Sequence, residues 1–434
     1  MPRRKLLALS AVLGLSLLCW GNSQAAKPKD EMLQLYGAFV DAVEQVEANY
    51  VRPVPRKELL ESALRGMLQG LDPHSSYFSD AEWRQFKKQI DGSFSGIGVT
   101  VGIDPESGRL EVEAPLVGSP AYTAGIMAGD LIMEVDGKST ENMTSDKAVE
   151  IMQGRPGTLV TLIVFHPASK KTETLTIRRE VIDLPTVVGD RRKPDDTFEY
   201  MLDPDKKIGY VRVTSFVQGT VEDLKKVLTE LSGRGMKGLV LDLRDDPGGL
   251  LSAAVQVADL FVEDGAIVST EGRNIKKTTY EAEKADPFEA LPMAVLINHH
   301  SASASEIVAA CLQDHKRAAI VGQRSYGKGS VQHILPLDGG DAVLKLTVAA
   351  YKRPSGKNIH RFPKAKDADE WGVTPDDGLV LALSEADYAN WQKARHDRDQ
   401  FSGHNPEPKD AKPMLDAQRD KAVEAVRAQI AGAK

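Results

Sequence analysis

Two segments carry side chains that could run acyl transfer without a cofactor. The first, Ser301-Ala302-Ser303-Ala304-Ser305-Glu306, sets hydroxyls directly before an apolar run of Ile307, Val308, Ala309, Ala310 and Leu312. Ser303 and Glu306 have capping-box spacing, which puts Ser303 at the start of a helix. A helix start offers free N–H groups and the positive end of the dipole, and both favour developing negative charge. The second segment, Gly327-Lys328-Gly329-Ser330-Val331-Gln332, offers an amine between two glycines and an amide four residues on. Free lysine titrates near about 10.4, whereas a base that works at neutral pH needs about 7 to 8. That change costs about 4 kcal/mol, within what burial among apolar groups supplies. Gln332 could accept a hydrogen bond from the ammonium and orient it without adding charge; a carboxylate there would hold the proton on. Taken singly, each segment has a plainer reading, a capping serine and a surface-loop lysine.

Acyl transfer also needs two N–H donors aimed at the developing oxyanion. Ala304 supplies one by position. A glycine of Pro247-Gly248-Gly249 could supply the other, since glycine lets backbone approach closely. Two rival chemistries fail. Gly322 to Lys328 reads G-x-x-x-x-G-K, but Gly329 follows where a phosphate loop needs Ser or Thr, and Ser330 to Leu337 alternates like a strand. His299 and His300 are adjacent, but H-E-x-x-H spacing is absent, so no metal site is expected.

The elements that must position these groups follow from periodicity. Lys207 to about Val373 alternates strands and helices: strand Ile208–Val213, a helix capped by Thr220 with Leu224, Val227, Leu228 and Leu231 on one face, strand 238–243, the Pro-Gly-Gly turn, and strand 292–297 leading into the serines. This is a βαβ-type core with glycine-rich turns at strand ends, the usual place for a site in an open α/β sheet. Upstream, residues 29–50 predict an amphipathic helix (Met32, Leu35, Tyr36, Phe39, Val43, Val46, Tyr50) ended by Pro53 and Pro55, and 57–69 a second helix stopped by Gly70. The stripe of the first helix has to be covered, and a second subunit is the expected cover. Downstream of Val380 the chain turns polar, with Pro406, Pro408 and Pro413 as a linker and a short helix carrying Leu415, Val423, Val426 and Ile430 on one face.

Length and charge bound the rest. The 434 residues predict two to three domains. Met1 to Ala25 has the form of a secretory signal: Arg3, Arg4 and Lys5 precede the apolar run Leu6 to Trp20, and Ser23-Gln24-Ala25 supplies the small residues of a cleavage site. The run is short for a membrane span, and Leu18 before Cys19 disfavours a lipid anchor. Net charge is −7, and cleavage of a segment with three basic residues and no acid moves it to −10, which argues against nucleic acid as a partner. Cleavage would also remove Cys19, leaving Cys311 inside an apolar run, so no disulfide is expected.

From Gly92 to about Ile182 the pattern becomes β-rich, with strands at 99–103, 109–117, 130–135, 159–165 and 173–177 and helices at 121–127 and 144–152. Gly96-Ile97-Gly98-Val99, Gly118-Ser119-Pro120-Ala121, Gly129-Asp130-Leu131-Ile132 and Val135-Asp136-Gly137 occur in an order that resembles a PDZ domain. The resemblance implies a peptide added as a strand, its terminal carboxylate cradled by Ile97, Gly98 and Val99. Ala148, Ile151 and Met152 would line the pocket for its last side chain.

Leu241-Asp242-Leu243-Arg244 with Pro247-Gly248-Gly249, then Ser301 to Ile307, then Tyr326 to Gln332, closely resemble the C-terminal processing (tail-specific) serine peptidases, over about residues 35–376. That resemblance implies Ser303 as nucleophile, Lys328 as general base 25 residues later, Gln332 positioning the lysine, and Gly249 with Ala304 as oxyanion donors, Gly248 being a rival. Two positions depart from the family pattern: His300 where glycine is usual, and Asp246 where asparagine often stands. The expected architecture is α+β and multidomain: signal 1–25, helical region 26–91, PDZ module 92–182, a crotonase/ClpP-like protease core 183–380, and a C-terminal linker and helix 381–434. The expected activity is a periplasmic serine endopeptidase, without cofactor, acting on envelope proteins bound by their C-termini. Expected partners are further copies of the chain, through the terminal helices, and, as in some relatives, an envelope adaptor lipoprotein. Two other readings use the same residues: a catalytically dead PDZ scaffold, and an acyl-CoA enzyme of the crotonase type, which would leave the PDZ module idle.

Overall fold

Strands buried at every position, such as Ile208–Val213, Gly238–Asp242 and Met293–Ile297, require a sheet covered on both faces. The computed structural model contains such a sheet; it describes residues 28–90, 93–283, 288, 290–337, 342–402, 407, 408 and 414–432. The expected signal segment with Cys19, Gly92, Pro406 and Pro413 lie outside the described residues. The chain divides into two compact units, one ending at Tyr77 and one beginning at Phe78.

The first unit holds helices α1 (Pro28–Asn49) and α2 (Arg56–Gln69), joined through an ion pair between Glu47 and Arg56. Gly70 closes α2, as expected. Leu68 is buried, and Asp72 ties the following turn by accepting from the N–H groups of His74 and Ser75. The apolar stripe of α1 is exposed, including Leu35 (66%), Tyr36 (60%) and Phe39 (43%).

In the second unit, helix α3 (Asp80–Ile90) precedes a six-stranded antiparallel sheet. Its strands β1 (Val99–Ile103), β2 (Leu110–Pro115), β3 (Leu131–Val135), β4 (Leu159–His166) and β5 (Lys171–Arg178) stand in that order, with Lys138–Ser139 pairing β3. The helix expected over 121–127 is the single turn α4 (Pro120–Thr123), because Gly125 leaves it at φ 84°. Helix α5 (Ser145–Met152) packs Ala148 and Met152 into the same core as Ile97, Leu110, Ile132 and Leu162. Arg179 closes its C-terminus, donating to the carbonyls of Met152 (2.9 Å) and Ile151 (2.9 Å).

The larger part of the unit is built on parallel strands β6 (Ile208–Val213), β7 (Gly238–Asp242), β8 (Met293–Ile297) and β9 (Ala319–Gly322), with short antiparallel strands beside β6. Helices α6 (Thr220–Gly233), α7 (Leu251–Asp259) and α8 (Ala304–Asp314) cover one face. Thr220 is the first helical residue, not the cap; Gly219 takes the cap position, and the Thr220 hydroxyl donates to the Ser215 carbonyl (3.0 Å). A second sheet contains the antiparallel pair β10 (Ser330–Leu337) and β11 (Ala342–Lys352).

Two helices follow. The expectation of a polar linker misses α9 (Glu385–Asp399). The last helix, α10 (Ala417–Gly432), covers the other face of the parallel sheet: Ala422, Val423 and Val426 pack on Ile208, Tyr210, Val240, Ala294 and Leu296. Leu415, expected on its face, precedes the helix and is exposed. A buried ionic network ties this region to the end of β7. Arg244 pairs with Asp242 (2.6 Å) and Asp416 (2.8 Å), while Asp416 also accepts from the Trp391 indole (3.0 Å). Burial pushes the Asp416 carboxyl up, but the Arg244 charge together with the hydrogen bonds from Arg244, the Arg419 N–H and Trp391 outweighs it and holds the pKa down at about 2.

Candidate active site

The three serines at the start of α8 are not equivalent. Ser301 Oγ donates to the Leu243 carbonyl (2.7 Å) and Ser305 Oγ to the Asp246 carbonyl (3.0 Å), so both hydroxyls are consumed in fixing the turn. Ser303 Oγ donates to no acceptor among the described residues. Ser303 is also the strained one, at φ 58° and ψ −111°, a region that costs a non-glycine residue on the order of 1–3 kcal/mol. Strain of this kind at a helix start turns the side chain outward, as in nucleophile elbows.

The strain is held by Glu306. Its fully buried carboxylate accepts from the Ser303 N–H at Oε2 (2.8 Å), the return half of the expected capping box. The same Oε2 accepts from the Lys328 N–H (2.8 Å), and Oε1 accepts from the Gly327 N–H (2.6 Å) and Ser325 Oγ (2.6 Å). One carboxylate therefore fixes the backbones of both candidate catalytic residues. Burial pushes its pKa up, opposed by these donors.

Lys328 is half-buried on the loop before β10. Burial lowers its pKa, against the Glu306 charge, which raises it. The lysine is thus biased toward the neutral amine that a general base requires. In this arrangement Lys328 Nζ and Ser303 Oγ are not hydrogen-bonded to each other. Gln332, on β10, donates to Ser330 Oγ (2.9 Å) and Thr347 Oγ1 (3.2 Å) and makes no bond to Lys328.

Across from Ser303, the Pro-Gly-Gly turn is pressed against the helix start. A Cβ on Gly248 would lie 2.8 Å from Ser303 Cβ and 2.7 Å from the Ala304 nitrogen; one on Gly249, which stands at φ 152°, would lie 2.1 Å from the Phe216 carbonyl oxygen. Only glycine fits either place. The Gly248 N–H donates to Asp246 Oδ1 (2.8 Å). The N–H groups of Gly249 and Ala304 donate to no acceptor among the described residues, which leaves them available to an oxyanion.

In the β-rich module the carbonyl of Ile97 accepts from Ala121 N–H (2.8 Å), and that of Gly98 from Leu116 N–H (2.9 Å) and Ser119 Oγ (2.9 Å). Those bonds hold the loop into Val99 while the N–H groups of Ile97 and Gly98 stay free of protein acceptors among the described residues. Ala148 and Met152 are buried in the module core, and Ile151 alone of the three expected pocket residues is partly exposed. His299 and His300 lie with ring centres 4.0 Å apart, and against Tyr388 of α9 His299 sits edge-on (5.0 Å) and His300 stacks (5.4 Å). Among the described residues no group of three or more His, Cys, Asp or Glu could hold a metal ion.

Known proteins resemble this chain. Peptidase family S41 matches over residues 207–378 and a PDZ domain over 111–164. A carboxy-terminal-processing protease of Bartonella bacilliformis is 35% identical, over 96% of this chain and 94% of that protein. The chain belongs to peptidase family S41. Carboxy-terminal processing protease CtpA of Bacillus subtilis is 34% identical over 80% of this chain and 72% of its own length. Among solved structures, the photosystem II D1 C-terminal processing protease is 30% identical, over 79% of this chain and 92% of that one, at a TM-score of 0.46. Membership makes this S41 chain a peptidase with a PDZ domain and therefore with protein substrates. Its expected α+β character stands, with helices and sheets mixed through both described parts of the second unit.

Two features of this S41 site escaped the sequence. Ser303-x-x-Glu306 spacing signals the cap, but nothing local signals that the same carboxylate reaches Gly327 and Lys328. Tyr388, whose hydroxyl donates to Asp245 Oδ1 (2.7 Å), lies on the helix that sequence reading missed.

Proposed function

We propose that this chain is an exported serine endopeptidase that grasps C-terminal tails through its PDZ domain and cleaves them with Ser303 and Lys328. The observation carrying this reading is that Ser303 alone among the three serines keeps its hydroxyl undonated, with its backbone and that of Lys328 bonded to one Glu306 oxygen. The neutral Lys328 amine takes the Ser303 proton as Oγ attacks the scissile carbonyl. The N–H groups of Gly249 and Ala304 receive the oxyanion, the lysine passes its proton to the leaving amine, and water then hydrolyses the acyl-enzyme. A rotation of the Lys328 side chain brings the amine to Ser303, and Gln332 then orients it from the neighbouring strand.

The peptide carboxylate docks at Ile97, Gly98 and Val99, with Ile151 at the groove and Ala148 and Met152 as its floor. We assign the signal to 1–25 with cleavage near Ala25, the helical region to 26–91, the PDZ domain to 92–182, and a crotonase/ClpP-like core to 183–380 with 381–434 packed on it. The periplasm is the compartment and envelope proteins the substrates; the exposed α1 stripe mates with a second copy, and an adaptor lipoprotein presents substrate.

The decisive test uses a loosely folded protein substrate and a fluorophosphonate that labels reactive serines. The wild type cleaves and is labelled at Ser303, while Ser303→Ala and Lys328→Ala each lose at least about 10³-fold in kcat. Because the base must be uncharged, kcat/KM rises with pH and levels off above the Lys328 pKa, which lies below that of free lysine. Cleavage that survives in both variants ends the dyad assignment. A folded wild type without labelling or cleavage would leave a PDZ scaffold instead.

A further inference from the structure

Asp246 sits two residues before Gly248, beside the proposed oxyanion donors. Its side chain is wholly buried. Oδ1 accepts from the Gly248 N–H (2.8 Å), and Oδ2 is buried with no hydrogen-bond partner. Its own carbonyl accepts from the Ala302 N–H (3.0 Å) and from Ser305 Oγ (3.0 Å). One residue therefore stitches the Pro-Gly-Gly turn to both sides of Ser303, using its carboxyl on the turn and its carbonyl on the serine segment.

An ionised carboxylate with one oxygen buried and unpartnered is expensive, whereas the protonated acid removes the charge. Burial pushes the Asp246 pKa well above the usual carboxylate range, against the pull of the Gly248 N–H and the nearby Ser305 hydroxyl. Gly248 is packed against Ser303 and the Ala304 nitrogen, and of the N–H groups of Gly248, Gly249 and Ala304 only that of Gly248 has an acceptor among the described residues.

We infer that Asp246 is a positioning residue: its uncharged carboxyl takes up the Gly248 N–H, which sets the turn so that the N–H groups of Gly249 and Ala304 alone face the oxyanion. This rests on the proposed role of Ser303. The requirement is a neutral acceptor of this size, which asparagine also supplies and leucine does not.

The test compares D246N and D246L, which have similar volume, in the full chain. Each is measured for melting temperature, kcat and KM on the same protein substrate, and rate of fluorophosphonate labelling. D246L should lose about 10²-fold in kcat and in labelling rate with KM changed less than about twofold, as expected when one oxyanion donor is misplaced. D246N should recover the rate to within about threefold of wild type. A folded D246L that keeps its kcat, a loss confined to KM, or a D246N as slow as D246L would each overturn the inference. D246A replaces D246L if the latter does not melt cooperatively, with the same outcomes. Failure of the serine reading itself shows differently, as wild-type cleavage that survives Ser303→Ala.

Discussion

Helices α1 and α10 both repeat apolar residues at three- and four-residue steps, and sequence reading expected α1 to meet a second copy and α10 to pack or associate. The structure separates them. On α1, Leu35, Tyr36 and Phe39 are exposed; on α10, Ala422 and Val426 are fully buried against the parallel sheet. The weaker stripe is the buried one. An amphipathic pattern shows that a face must be covered, but what covers it depends on what the fold leaves bare. The sheet of β6, β7, β8 and β9 is buried on two faces and has α6, α7 and α8 on only one, so α10 completes that core.

The sharpest way to break this contrast is a charge at Val426. V426D places a carboxylate against Tyr210 and Val240 with no partner, and should cost more than about 4 kcal/mol, visible as loss of cooperative melting and of activity together. Next in size is Asp416→Ala, which takes one of two carboxylates from the buried Arg244 and leaves Asp242 as its partner, and should cost about 2–3 kcal/mol in denaturant unfolding; a loss below about 1 kcal/mol would mean that the network does not hold the C-terminal segment. The same pair gives an acid signature. The Asp416 pKa is depressed in the fold, so its stabilisation is present above the unfolded carboxylate value and disappears as pH falls toward about 2. Acid titration of the wild type should lose about 2–3 kcal/mol from this source, and D416N should lack that part of the acid slope. Smallest in stability is Phe39→Asp on α1, within about 0.5 kcal/mol, but sedimentation should show a lower oligomeric state. An unchanged assembly in F39D would remove α1 as the mating surface.

Where local patterns decide structure, the sequence was legible. The strands at 99–103, 131–135, 159–166 and 208–213 follow from alternation or continuous apolar runs within one residue of their limits, and Ser303 as a helix start follows from Ser-x-x-Glu spacing. Helix α9 was not legible because its buried side chains are Trp391 and Arg395, not an aliphatic stripe. What holds it is distant: Arg395 donates to the Asp190 carbonyl (2.5 Å) and Trp391 to Asp416 (3.0 Å). The bond from Gln332 to Thr347 is set by strand register, which no spacing within one segment encodes.

The oxygen of Glu306 that Ser303 and Lys328 share gives the site a single anchor for two arms. Warming that loosens either arm unpins the other, so the proposed nucleophile and base should fail in one step, with residual activity tracing a simple exponential. Anyone transplanting the proposed dyad into a new scaffold would have to move three residues, not two.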